Sequence, residues 1–217
     1  MVTDALERLA EPGDDLLRRV GTLLSGGGVP PAAVELVRRV GALPAEVLEY
    51  ALKLDVDALR AAAVEVRVLR DQFRGQAARL GADVGDTVWE GAGAEAFRVA
   101  WNGLNQHLES MVERLDATAG YADGVAAWAA GFRHEVAEAV ARVISSAEAV
   151  VVVTSGGVPA VQAAGKIAER VLRTAAEGLD AAEDLRRRWE PRVGRLEWQL
   201  LAVQEGAVIP GVTRVEL

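Results

Sequence analysis

The side chains that could do chemistry are few and scattered along this chain. It has two histidines, His107 and His134, and no cysteine. His134 and Glu138 are four residues apart and can share one helix face, but a metal ion needs three or four converging ligands. Because no further ligand accompanies this pair, a solvated pair on a helix is the simpler interpretation. We predict no metal site.

The serines and glycines form no recognisable active site either. Ser145, Ser146 and Ser155 have no histidine at a spacing that suggests a Ser-His pair. The segments Ser25–Gly28 and Ser155–Gly157 lack the Lys-Ser/Thr ending of a phosphate-binding loop and are typical of linkers. We therefore predict that the protein is not an enzyme and binds no cofactor.

Charged clusters indicate solvated helix faces. The carboxylate pairs Asp14-Asp15 and Glu183-Asp184 fit this interpretation. The densest basic cluster, Arg186–Arg188, could hold an acidic partner, but a solvated last helical turn favoured by the helix dipole is the preferred interpretation. The net charge of −8 disfavours a nucleic-acid partner, whose phosphates need a basic surface, and contact with an anionic membrane.

Two further features concern the compartment. Met1–Asp4 does not begin a basic region followed by an apolar core, so we expect no cleavable signal peptide. The uncharged stretch Ala149–Gly165 is short for a membrane span and contains Pro159. We interpret it as a buried helix end followed by a turn, and we keep a membrane-active or structural helical bundle as an alternative.

The spacing of apolar residues predicts an all-α fold. Residues 1–53 read as a short helical extension: a small apolar face from Leu16 to Leu24, a break at residues 25–31, and two short helices, the second with Pro44 in its first turn. Residues 154–217 read as a C-terminal helix or helix pair, which Pro191 should kink or end, followed by an extended tail. These segments would complete a bundle.

Between them, residues 54–153 carry two long apolar seams. The first follows Asp55, which can cap a helix, and repeats in steps of three and four from Val56 to Leu80. The second runs from Phe97 to Val143 in the same steps. Two seams joined by a short glycine-bearing turn predict a long antiparallel helical hairpin with helices at about 54–80 and 94–145.

The turn of this hairpin contains the tripeptide Trp89-Glu90-Gly91. Gly91 can adopt backbone conformations closed to other residues, and Gly93 allows a tight entry into the second helix. Trp89 can cover the open end of the hairpin or fill a cleft on a partner. Six apolar residues near the turn are the candidates for hairpin or partner packing: Phe73, Leu80, Phe97, Trp101, Leu104 and Leu108.

These residues carry a family resemblance. Leu54–Ala63 resembles the first-helix opening of WXG-family proteins, the small helical hairpins of type VII (ESX-like) secretion related to the early secreted antigen. Val88–Phe97 is similar to the family's Trp-x-Gly turn, with small residues and an Ala-aromatic pair opening the second helix. The resemblance covers about residues 54–150.

The resemblance implies a protein that dimerises with another WXG-like hairpin, or with itself, as a four-helix bundle. It also implies export from the cytoplasm to the outside or the cell surface, without a signal peptide, by machinery that includes an ATPase. An exported family dimer carries a Tyr-x-x-x-Asp/Glu signal on one member. Here Tyr50 is followed four residues later by Leu54, and Tyr121 by Val125.

Two interpretations therefore stay open. The chain is an exported substrate or the dimer partner of one, or it is a cytosolic helper that pairs with a larger secreted effector. Residues 154–217 could also fold back over the hairpin, which would weaken the expectation of a partner.

Overall fold

The computed structural model of the chain describes residues 4–85 and 90–193. Within these ranges the chain forms seven helices and no strand, which confirms the predicted all-α fold. The helices are α1 (Ala5–Ser25), α2 (Pro31–Val40), α3 (Pro44–Lys53), α4 (Val56–Gly85), α5 (Ala92–Ile144), α6 (Ala147–Thr154) and α7 (Gly157–Val193).

Helix α1 is longer than the apolar face from Leu16 to Leu24 predicts. It begins at a capping box: the Glu7 backbone N–H donates to the Asp4 carboxylate at 3.0 Å, and the Asp4 N–H donates to the Glu7 carboxylate at 3.3 Å. This reciprocal pair satisfies N–H groups that a helix start leaves open. The helix then continues through Pro12 and ends before Gly26.

Helices α2 and α3 both begin with proline. Pro31 and Pro44 occupy the first helical turn, where the missing N–H would have no partner within the helix. The position of Pro44 confirms the sequence prediction. Gly41, with φ of 71°, ends α2 in the left-handed conformation that glycine adopts without strain.

Helices α4 and α5 form the predicted hairpin. The Asp55 carboxylate accepts the Ala58 N–H at 2.9 Å and starts α4, as expected. The 30 residues of α4 and the 53 residues of α5 correspond to lengths of about 45 Å and about 80 Å. Among the described helices, α4 contacts α5 alone, so α5 carries α4 away from the rest of the molecule.

Two ion pairs join α4 to α5. Arg67 pairs with Asp123, and Arg70, which is largely buried, pairs with Asp116. Arg70 follows Arg67 along α4, whereas its partner Asp116 precedes Asp123 along α5. The two helices therefore run antiparallel.

Helix α7 also runs antiparallel to α5, along a different side. Gly178 lies against Phe132, and Trp189 lies against Gly120. The indole N–H of Trp128 donates to the Gly178 carbonyl at 2.9 Å. Of the two predicted effects of Pro191, an end of the helix is wrong, because α7 continues through Pro191 to Val193; the predicted kink stays a prediction.

The main hydrophobic core occupies one end of the molecule. It is built by α1, α2, α3, α6, α7 and the C-terminal part of α5. We call residues 126–144 of α5 the base, and we call residues 64–85 of α4 with residues 92–115 of α5 the arm. Among the described residues of the arm, Ala94 alone is fully buried. Thus the core holds the base while the arm projects.

None of the described helices is both long enough and apolar enough to cross a membrane.

The close approach of α7 to α5 makes a testable prediction at two glycines. A methyl group added at Gly178 would lie 2.4 Å from a ring carbon of Phe132, so Gly178→Ala should destabilise the fold by about 1–3 kcal/mol through overpacking. Gly131→Ala, whose methyl would meet nothing within 4 Å, should stabilise α5 by about 0.5–1 kcal/mol. Urea unfolding followed by circular dichroism measures both. Equal effects of the two changes would contradict the packing described here.

Candidate docking site

One side of the arm is apolar and open. At about 100° per residue, Leu69, Phe73 and Leu80 lie on one flank of α4. Leu104 and Met111, seven residues apart, likewise share one face of α5, and both are half-buried. The side chains of Leu69 and Leu80 are each 43% exposed, and no other described helix packs on α4. The arm therefore presents a row of large apolar side chains that the described part of the chain leaves partly uncovered.

The same side of α5 is buried in the base. Val136, Val140 and Val143 continue the steps of three and four that begin at Phe97, and all three are fully buried. Helices α1 and α3 pack on the base, whereas neither reaches α4. Coverage of one continuous apolar seam is thus complete at the base and partial in the arm.

The structure brings all six predicted packing residues to the arm. Phe97 is 42% exposed, close to the value for Leu80. The other four, Phe73, Trp101, Leu104 and Leu108, are half-buried. Partial burial is expected in an arm of two helices, because each helix can cover only one side of the other and no third helix covers the rest.

The turn motif is described in part. Gly91 precedes α5 with φ of 100°, in the region that favours glycine. Gly93 lies in the first turn of α5, near Glu95, whose charge suits the positive end of the helix. Trp89 lies outside the described residues, so its predicted covering role stays a prediction.

The side of the arm nearest to α7 is polar. A cleft there is lined by Arg67 of α4, by Glu113 and Asp116 of α5, and by Trp189 and Arg192 of α7. The guanidinium of Arg192 lies over the Trp189 ring at 5.3 Å from its centroid, a cation–π contact. The arm therefore has one apolar side and one charged side.

Arg133 lies within the base of α5. It follows Ala129 by four residues and precedes Val136 by three, so it lies on the same face of the helix as these two buried residues. Its guanidinium donates to the carbonyls of Ala51, Leu52 and Leu54 at 2.9, 3.1 and 3.2 Å. Its side chain is 12% exposed, so these bonds satisfy a charge that is nearly buried.

The same guanidinium pairs with the Asp4 carboxylate. Partial burial acts to raise the pKa of Asp4, but hydrogen bonds from Arg133 and from the Glu7 N–H outweigh it and hold the pKa below its usual value. Arg133 thereby connects α5 to the start of α1 and to the end of α3.

The arginine cluster on α7 has its own acidic partner. Hydrogen bonds from Arg186, aided by the charge of Arg187, lower the pKa of Glu183 to about 2. All three side chains are well exposed. The cluster is solvated, as predicted, but it does not lie in the last turn of the helix, because α7 continues to Val193.

His134 and Glu138 lie 3.4 Å apart on the surface of α5. Within the ranges 4–85 and 90–193, we find no group of three or more potential metal ligands.

Sequence reasoning missed two features of this region. Arg133 gave no signal of its role, since an isolated arginine in an Ala-rich helix resembles a solvated residue. The apolar spacing also gave no sign that Gly120 and Gly124 of α5 receive Trp189 and Leu185 of α7. Their spacing of four residues was the available signal.

The segment that contains the arm is similar to a known family. Residues 51–130 match the WXG100 family model, described as proteins of 100 residues with WXG. The match confirms the resemblance for that segment, which contains α4 and the N-terminal part of α5, and it covers less than half of the chain. Through this match, the segment is associated with the small helical proteins of type VII secretion. No curated protein and no solved structure matches the chain.

The seam is fully covered in the base and partly covered in the arm. Shortening a seam side chain should therefore destabilise the protein more in the base than in the arm. Val140→Ala, in the base, should lower the free energy of unfolding by about 2 kcal/mol because it leaves a cavity in the core. Leu104→Ala, in the arm, removes a larger side chain but should cost less than about 1 kcal/mol, since its site is already half open to water. Thermal and urea unfolding of the two variants tests this ordering, and the reverse ordering would refute it.

The Asp4–Arg133 pair predicts a pH dependence. Because the pKa of Asp4 is lowered in the fold, its contribution to stability is present above the unfolded pKa of about 3.9 and is lost as pH falls through the folded pKa. Asp4→Asn should therefore be less stable than wild type at pH 7, with the gap closing below about pH 4. Urea unfolding of both proteins at pH 7 and below about pH 4 measures this difference in stability. Asp15→Asn, on the exposed surface of α1, is the control and should show a smaller gap at pH 7.

Proposed function

We propose that the chain is a non-enzymatic helical protein of a type VII secretion system that works by docking against a second helical hairpin. It is either an exported substrate or the dimer partner of one. The observation that carries this proposal is the row of exposed apolar side chains on one side of the arm, within the segment that matches WXG100. A contiguous apolar surface of this kind is typical of a protein-binding site.

The partner should present an apolar helical face of similar length. Helices pack through side-chain ridges at steps of three and four, and both α4 and α5 offer such ridges. A second hairpin laid on the apolar side would turn the two helices of the arm into a four-helix bundle. Burial of Leu69, Leu80 and Phe97, the most exposed large residues of that side, would contribute most to the association.

The three-part organisation remains part of this proposal. Residues 54–153 would provide the hairpin, residues 1–53 an extension, and residues 154–217 a C-terminal segment. The protein would be made in the cytoplasm and leave it without a signal peptide, by machinery that includes an ATPase.

A second candidate is a cytosolic helper that pairs with a larger secreted effector. It is favoured by one observation: neither tyrosine of the 217-residue sequence is followed four residues later by Asp or Glu. Comparing the secreted fraction of the protein in wild type and in a strain lacking the secretion ATPase separates the candidates. An exported substrate disappears from the medium of the mutant strain, whereas a helper is found in the cells of both.

Docking through the arm is tested by co-expression with helical hairpins encoded beside the gene, followed by light scattering for mass. Leu69→Asp should weaken the complex at least tenfold, because it places a charge in the apolar side. Val68→Asp is the matched control: Val68 is the neighbouring residue, is 53% exposed, and points about 100° away. It should change the affinity less than threefold.

Two outcomes would contradict this proposal. One is a strict monomer that binds no neighbouring product. The other is an equal effect of the two substitutions, which would place the contact elsewhere on the molecule.

A further inference from the structure

Helix α5 has a weak point between the arm and the base. Gly120 and Gly124 lie about one turn apart in its interior, after the arm residues 92–115 and before the base. Glycine has no side chain to restrict its backbone, so it weakens a helix interior relative to alanine, and helices kink at glycines. Two glycines one turn apart therefore predict a point at which α5 can bend.

Side chains of α7 fill the notch that these two glycines leave. A Cβ added at Gly120 would lie 2.5 Å from Cη2 of Trp189. One added at Gly124 would lie 2.9 Å from Cδ1 of Leu185 and 3.5 Å from Nε1 of Trp189. The indole thus occupies the space that alanine side chains would take, at the point where the backbone of α5 is weakest.

Two further contacts hold the Trp189 ring in this notch. Tyr121 of α5 lies beside it, with the two ring centroids 6.4 Å apart and the ring planes at 56°. The guanidinium of Arg192, in the next turn of α7, lies over the indole at 5.3 Å from its centroid, a favourable cation–π geometry. The ring is therefore held from α5 and from its own helix.

Helix α4 spans the same point of α5 less firmly. Its ion pairs with Asp116 and Asp123 reach α5 on either side of Gly120. The two aspartate side chains are 61% and 46% exposed, and ion pairs between solvated side chains contribute little to stability. The cleft between α4, α5 and α7 leaves open space beside the notch.

We infer that Trp189 is a positioning residue whose ring braces α5 at Gly120 and Gly124 and sets the angle between the arm and the base. With the ring in place, the arm keeps one direction. Without it, α5 bends at the two glycines and the arm samples several directions. The direction of the arm also decides how its apolar side meets a partner, and that consequence alone rests on the proposed function.

Spin labels on either side of the two glycines test this inference. The chain has no cysteine, so Gly103→Cys and Gly131→Cys place one label in the arm and one in the base. A side chain at either position meets nothing within 4 Å. The two positions are 28 residues apart (131 − 103) in α5, which corresponds to about 42 Å along a helix. Double electron–electron resonance measures this distance, and because both labels lie on α5 it reports bending of that helix.

The chain that carries only the two labels should give one narrow distribution of distances. Trp189→Ala should at least double the width of this distribution, because the notch is then empty. Adding Gly120→Ala and Gly124→Ala to this variant should make the distribution narrow again, since the alanines stiffen the helix and their methyl groups enter the space that the ring has left.

Leu179→Ala is the control, because it shortens an apolar side chain of α7 that is 48% exposed. It should leave the width unchanged. Circular dichroism checks that each variant is folded, and Trp189→Leu, which also lacks the ring, replaces Trp189→Ala if the latter does not fold.

A distribution that stays narrow without the ring would overturn the inference, because the arm would then need no brace from α7. A broad distribution that the two alanines fail to narrow would also overturn it, since the bend would then lie away from the glycines. The labels are read in the protein alone. Failure to find a docking partner would therefore contradict the proposed function without changing this result.

Discussion

The structure depends on one constraint: α5 is a single long helix with an apolar seam that no single neighbour covers. Steps of three and four persist from Phe97 to Val143, so burial must come from several elements. Helix α4 covers part of the arm, while α1, α3, α6 and α7 also pack on α5 and join its C-terminal part in the core. The arrangement of the remaining helices follows from this division.

Helix α7 solves a different packing problem on another side of α5. Its large side chains, Trp189 and Leu185, approach the backbone of α5 at Gly120 and Gly124. Phe132 fills the reciprocal position at Gly178. Small residues facing large ones let two helices approach closely without relying on the seam.

Much of this architecture could be predicted from the sequence, because helix periodicity is a local property. The Asp55 cap, Pro44 and the two seams placed α3, α4 and α5 closely. Periodicity identifies which residues form an apolar side, but it does not tell which element covers that side. For this reason the burial of the base by α1, and the partners of Arg133, could not be foreseen. Pro191 did not end α7, since a helix can continue through a proline at the cost of one backbone hydrogen bond.

The role of Arg133 shows how one charge can divide a repeating surface. A seam of apolar residues alone has no preferred end, because each turn offers the next helix a similar site. Arg133 breaks that equivalence: it is stabilised where carbonyls and a carboxylate converge and would be left unpaired beneath an apolar helix. The local need of a buried guanidinium for hydrogen bonds thereby ties this point of α5 to the end of α3 and to the start of α1.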